Sequence, residues 1–202
     1  MRKIVSWSGT CLIFVGLTLF LWLTNGNVRA NEQQQNMIES FEAMQAIAPT
    51  NESNSRKIET HELVRNNEEL EGIEGILSIN AIDLKAPVRY GADAQTLKDS
   101  LGAIENMDAP GEIGGSYAIA GHQAHVFGQY FNRLHELEVG TRYTFQTLEE
   151  DLNFEVYDIQ IVKPHEVSVL EPNPEIAMMS LITCYPEYSN IYRLVVQSKL
   201  VE

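Results

Sequence analysis

Cys184 ends the apolar run Met178-Met179-Ser180-Leu181-Ile182-Thr183 and is followed by Tyr185-Pro186. Proline cannot donate to a ladder, so a strand through this run must stop there and leave the thiol at its end, beside a loop. As a thiolate, a sulfur so placed can attack a carbonyl carbon and carry the acyl group as a thioester. A small buried residue with no chemistry is the alternative for a lone cysteine. Arg193 stands nine positions on, at the opening of Tyr192-Arg193-Leu194-Val195-Val196. If the two strands neighbour each other, the guanidinium approaches the thiol, where a planar cation can hold a developing oxyanion or orient a carbonyl. An arginine at a strand start is otherwise a solvated surface charge.

The elements that must position these groups are short and β-rich. Ile76 to Ile82 and Leu84 to Tyr90 read as two strands joined tightly through Asp83. Leu97, Leu101 and Ile104 recur at helical spacing after Thr96, which predicts a helix over 96–104. Gly111 to Gly115 reads as a loop, and Ser116-Tyr117-Ala118-Ile119-Ala120 as a strand that delivers Gly121-His122 at its end. Further strands are predicted at 142–147, 152–163, 178–186 and 192–201. Seven or eight short strands with one or two short helices specify a mainly β chain closed into a single barrel.

Leu181-Ile182-Thr183-Cys184, an arginine nine residues later, and Ala118-Ile119-Ala120-Gly121-His122 upstream occur in that order, with 62 residues from His122 to Cys184. This set resembles the paired signature of the sortase family: a Leu-x-Thr-Cys strand end, a downstream Arg opening the last strand, and an Ala-Gly-His about sixty residues earlier. The likeness runs over residues 72–202 and implies a sortase-type barrel. It implies Cys184 as nucleophile, His122 as general acid and base, and Arg193 as the residue that stabilises the oxyanion or positions the substrate. Ile182 and Thr183, flanking the nucleophile, and Ala120 match positions near the substrate groove.

The implied reaction is transpeptidation. A secreted protein bearing a C-terminal Leu-Pro-x-Thr-Gly-type signal would be cleaved between Thr and Gly, held as a thioester, and passed to an amine of a peptidoglycan precursor or a pilin lysine. Peptide-bond hydrolysis would be a side reaction, and no organic cofactor is called for. Within the family the chain is most like class A, with Cys184-Tyr185-Pro186 and the nine-residue step to Arg193 also resembling classes C and D. A dedicated cysteine hydrolase and a non-catalytic peptide-binding barrel are the competing readings. Some class A members bind calcium through the loop before the histidine strand, and here Glu105, Asp108 and Glu112 occupy that loop, with Glu171 in a later one. A solvated acidic loop is the plainer interpretation of these carboxylates. His122 and His125 could start a zinc pair, but no further ligands at suitable spacing accompany them. His61 falls in a polar segment, and His135 and His165 in surface loops.

The N-terminal region supplies location. Residues 4–24 carry no charge and are long enough to cross a bilayer as a helix, behind Arg2 and Lys3. The basic pair should stay cytoplasmic as residues 1–3, so the rest would lie outside the cell membrane, which the resemblance implies to be that of a Gram-positive organism. A cleaved signal peptide ending at Val28-Arg29-Ala30 is the alternative. Residues 25–71 are polar and read as a stalk. Within it Ile38, Phe41, Met44 and Ile47 lie near helical spacing, so a short amphipathic helix could dock on the domain or lie on the membrane. Cys11 falls in the apolar segment, which leaves Cys184 as the one thiol of the outer part. A net charge of −14 argues against nucleic acid as a partner.

Overall fold

The computed structural model describes residues 15–17, 32, 34–45, 72–123 and 130–201. Two units are distinguished, Met1–Asn36 and Met37–Glu202. In the first, the described residues are helical. Most of the apolar segment 4–24 and of the polar segment 25–71 lies outside the described residues, among which no helix is long and apolar enough to cross a membrane.

The second unit is a closed barrel of eight strands. They are β1 Ile73–Ile79, β2 Leu84–Tyr90, β3 Leu101–Ala103, β4 Ser116–Ala120, β5 Arg142–Gln146, β6 Asp151–Val162, β7 Met178–Tyr185 and β8 Tyr192–Val201. The order around the barrel is β1-β2-β3-β4-β7-β8-β6-β5. β4 and β7 run parallel, while β7 and β8 form a continuous antiparallel ladder from Met178↔Lys199 to Tyr185↔Tyr192. Closure leaves no open sheet edge, and alternate residues of each strand fill the interior. Leu77, Ile119, Phe145, Phe154, Leu181 and Val196 are buried in that core. Tyr117 meets Phe145 with ring centroids 5.7 Å apart, within the range of favourable aromatic pairs.

Two expectations about local structure are corrected. The predicted helix over 96–104 is a single turn, Thr96–Asp99, after which Ser100 is extended and Leu101–Ala103 forms β3. The helical spacing of Leu97, Leu101 and Ile104 loses to tertiary pairing, because Leu101 is needed in the core and β3 bridges β2 and β4. Gly102 permits this: a Cβ there would sit 2.5 Å from the backbone oxygen of Gly91. The first predicted strand also ends early. Asn80–Ile82 is a 3-10 turn closed by Asp83 at φ +52°, and Ile82 still reaches the core from it.

Within the second unit, a helix continues through residue 45 and lays Ile38 and Phe41 against Ile76 and Ile73 of β1, with Met37 buried as well. Glu42 pairs with Lys85, and the Gln45 amide donates to the Thr147 carbonyl at 3.0 Å. Burial of three apolar side chains, at about 1.5–3 kcal/mol each, holds this helix on the barrel. It docks on the domain, beside β1, which lies across the barrel from β7.

Candidate active site

β4 and β7 carry the two halves of the site because they are parallel neighbours. Ala118 pairs with Ser180 and Ala120 with Ile182, so the chain beyond Ala120 and the chain beyond Ile182 leave the sheet side by side. Two contacts fix the exits. The Gly121 amide donates to the Ile182 carbonyl at 3.0 Å, and the buried Thr183 hydroxyl donates to the Gly121 carbonyl at 2.9 Å. Gly121 itself is wedged, since a Cβ there would lie 2.6 Å from Leu101 Cδ2 and 2.7 Å from Phe131 Cδ2. His122 follows at once, and its carbonyl accepts from the Phe131 amide at 3.1 Å.

Strand alternation then sorts the side chains. Met179, Leu181, Leu194 and Val196 point into the core. Ser180, Ile182 and Cys184 therefore point out, as do Val195 and Arg193 on β8 and Ala118 and Ala120 on β4. Cys184, half-buried, opens with exposed His122 onto a cleft of about 450 Å³ that Gln123, Tyr188, Ser189 and Asn190 complete. Ala120 and Ile182 lie side by side on the outer surface leading to it. Thr183 faces inward and touches the site only through Gly121.

Cys184 and Arg193 are direct partners in the β7–β8 ladder. Side chains at such positions share a face with Cβ atoms about 4.5–5.5 Å apart. The guanidinium is engaged with the loop between them: Nη1 donates to the carbonyls of Asn190 at 3.1 Å and Tyr192 at 3.0 Å. That arrangement holds Arg193 beside the cleft, at the ladder position next to Cys184, and leaves the Nε and Nη2 hydrogens for other acceptors. The loop turns sharply through the cis Tyr185–Pro186 bond and Tyr188 at φ +62°.

The structure thus brings His122 and Cys184 to one cleft and Arg193 to the adjacent ladder position. Gln123, Tyr188, Ser189 and Asn190 were not singled out in the sequence. The one signal available for the last three was their place in the nine-residue step between Cys184 and Arg193. His125 lies outside the described residues, and His135 and His165 are exposed away from the cleft. Among the described residues no three His, Cys, Asp or Glu side chains converge as metal ligands. Of the acidic loop, Asp108 accepts from the Ser116 amide at 2.8 Å and so shapes the start of β4.

Comparison with known proteins agrees with this geometry. A sortase-domain family model matches residues 77–201, from β1 to the end of β8. Sortase SrtE1 of Streptomyces coelicolor is 28% identical over 137 residues, 64% of this chain and 36% of that protein. Sortase D of Bacillus subtilis is 30% identical over 112 residues, 55% of this chain and 54% of that one. The chain therefore spans about a third to a half of the length of these curated relatives. Among solved structures, sortase C1 of Streptococcus agalactiae superposes with a TM-score of 0.63 at 26% identity, covering 72% of this chain and 80% of that one. With a matching family model over most of its length and a barrel that sets cysteine, histidine and arginine at one rim, the chain belongs to the sortase family of cysteine transpeptidases.

Proposed function

We propose that this protein is a sortase that cleaves a Leu-Pro-x-Thr-Gly-type sorting signal between Thr and Gly and transfers the Thr carbonyl to an amine of the cell wall. The observation that carries the reading is the shared cleft of His122 and Cys184, reached from the ends of two parallel strands.

The Cys184 thiolate attacks the Thr carbonyl carbon, forming a C–S bond and moving the carbonyl electron pair onto oxygen. Arg193 meets that oxyanion through hydrogens not committed to Asn190 and Tyr192. Collapse breaks the C–N bond, and His122 protonates the departing Gly amine. An acceptor amine then attacks the thioester, gives a proton to His122, and releases the thiolate as the new amide forms. One amide replaces another, so no external energy source is required, and no metal or organic cofactor enters the scheme. Ala120 and Ile182 floor the approach, while Thr183 acts by positioning Gly121 and His122.

The test is direct. Cys184→Ala should abolish cleavage of a Leu-Pro-x-Thr-Gly peptide, and wild type given triglycine should yield the ligated product by mass spectrometry. Undiminished turnover in the alanine variant would sink the cysteine-transpeptidase reading, no turnover in the wild type would favour a peptide-binding barrel, and cleavage without ligation would make the protein a hydrolase. Activity should be the same with and without a chelator.

A specialised or pilus-assembling sortase is the second reading, favoured by the similarity to a sortase D and a sortase C1. Competition between triglycine and a lysine-bearing peptide as acceptors separates the two. In either case residues 4–24 serve as the anchor, with Arg2 and Lys3 cytoplasmic and the barrel outside. Protease accessibility of the barrel in intact cells tests that topology.

A further inference from the structure

The outer face of β4, β7 and β8 is a strip with the cleft at one end. At the other end it carries polar residues that are nevertheless buried. Ser116 is 1% exposed, Ser180 0% and Gln197 6%. None of them points into the barrel, because their strand neighbours Tyr117, Met179, Leu181, Val196 and Ser198 occupy the inward positions. The connection from β6 to β7 runs above this end, and its 3-10 segment, Val167–Leu170, packs on β4.

A single side chain ties that segment to the strip. The Gln197 amide nitrogen donates to the Val169 carbonyl at 2.5 Å, with a longer contact of 3.7 Å to Met178 Sδ. Its orientation is dictated from behind. Gln160 Nε2 donates to Gln197 Oε1 at 3.1 Å and to Asp158 Oδ2 at 2.7 Å. With its carbonyl oxygen occupied by Gln160, Gln197 can only present its NH2 group to the roof. The rest of the covered floor offers little hold, since the Ser116 and Ser180 hydroxyls have no hydrogen-bond partner among the described residues. Covering them forfeits bonds that water would supply, so they favour an uncovered floor and Gln197 opposes them.

We propose that Gln197 is a positioning residue that latches the Val167–Leu170 segment over the upstream end of the peptide track. Ser180 lies four residues from Cys184 on β7, about 13 Å along an extended strand. A peptide whose scissile carbonyl reaches Cys184 therefore meets the latched segment about four residues away, well clear of the thiol. The latch accordingly governs capture of the acyl donor and leaves the reactivity of Cys184 and the approach of the acceptor alone. The substrate half of this inference rests on the sortase reading above, whereas the latch itself does not.

The experiment uses the Met37–Glu202 unit within the full chain and the variants Gln197→Met, which keeps length and packing without the donor, and Gln197→Glu, which turns a carboxylate toward the Val169 carbonyl. Hydrogen exchange of the peptide spanning 166–172 should accelerate about tenfold in both, with the remaining barrel peptides unchanged. KM for a Leu-Pro-x-Thr-Gly peptide should rise about five- to tenfold at unaltered kcat, KM for triglycine should stay as in wild type, and the alkylation rate of Cys184 by a small methanethiosulfonate should not move. Ser180→Ala removes an unpartnered hydroxyl and should slow exchange of the same segment. Unchanged exchange at 166–172 in the Gln197 variants overturns the latch. Faster exchange with donor KM unaltered overturns its role in substrate capture. Should the wild type turn over no peptide at all, the exchange measurements still decide the latch, and the failure belongs to the sortase reading.

Discussion

Replacing Thr183 by valine removes one hydroxyl, keeps the shape, and deprives the Gly121 carbonyl of its 2.9 Å donor inside the rim of the barrel. A neutral hydrogen bond contributes about 0.5–1.5 kcal/mol net, and a buried carbonyl left without its partner raises the loss toward ~1–3 kcal/mol. A fall of about 1–2 kcal/mol corresponds to roughly 3–10 °C in melting temperature for a domain of this size. The catalytic effect should be larger than the thermal one. Gly121 carries His122, and a reacting group displaced by about 1 Å can lose ~100-fold in rate. The expected result is kcat reduced at least about tenfold with donor KM little changed, and recovery of most activity in Thr183→Ser, which restores the hydroxyl. Thermal melts and steady-state ligation of a sorting peptide to triglycine measure both quantities. A valine variant that melts and turns over like wild type would show that the bond from β7 to Gly121 does not hold the histidine, and the positional argument would fail.

Three other outcomes follow from packing and charge. Gly121→Ala must push its Cβ into Leu101 and Phe131, which should lower stability by about 1–3 kcal/mol in denaturant titration and reduce turnover through His122. Phe41→Ala removes the most buried side chain of the helix on β1, and should release that helix, read as faster hydrogen exchange over 37–45, while the barrel core exchanges as before. Acid should erode the loops selectively. Backbone amides of Thr96 and Gln95 hold the Asp93 carboxyl below its ordinary 3.8, and Arg133 holds Glu136 below 4.5. Both contributions are complete above those ordinary values and are lost as pH falls through the depressed ones, so Asp93→Asn should flatten the dependence of melting temperature on pH below about 4.

Legibility in the sequence varied with how local the deciding interaction was. β4, β7 and β8 could be read because each is an apolar run stopped by Gly121, by Pro186 or by the preceding loop, and the short step from Cys184 to Arg193 suited β7 and β8 to be neighbours. The 96–104 segment misled because its apolar residues fit a helical period, while the pairing of β3 with β2 and β4 is invisible to any short window. Asn80–Ile82 misled differently: Ile82 is buried as a strand residue would be, yet its backbone turns. At the site, the convergence of cysteine and histidine could be anticipated from motif order. The walls formed by Gln123, Tyr188, Ser189 and Asn190 could not, since they depend on the path of a loop rather than on residue type. Gln197 was equally hidden, because its partner is a backbone carbonyl 28 residues away.

The parallel pairing of β4 with β7 has a consequence for how this protein could be divided. Hairpin partners can find each other early, but these two strands are joined through the whole β5–β6 excursion, so neither half of the chain alone possesses both sulfur and imidazole. A break at the exposed tip near Glu149, between β5 and β6, would leave one fragment bearing His122 and another bearing Cys184 and Arg193. Each piece would be silent by itself, and ligation would return only on reassembly, which makes this barrel a natural scaffold for a complementation reporter.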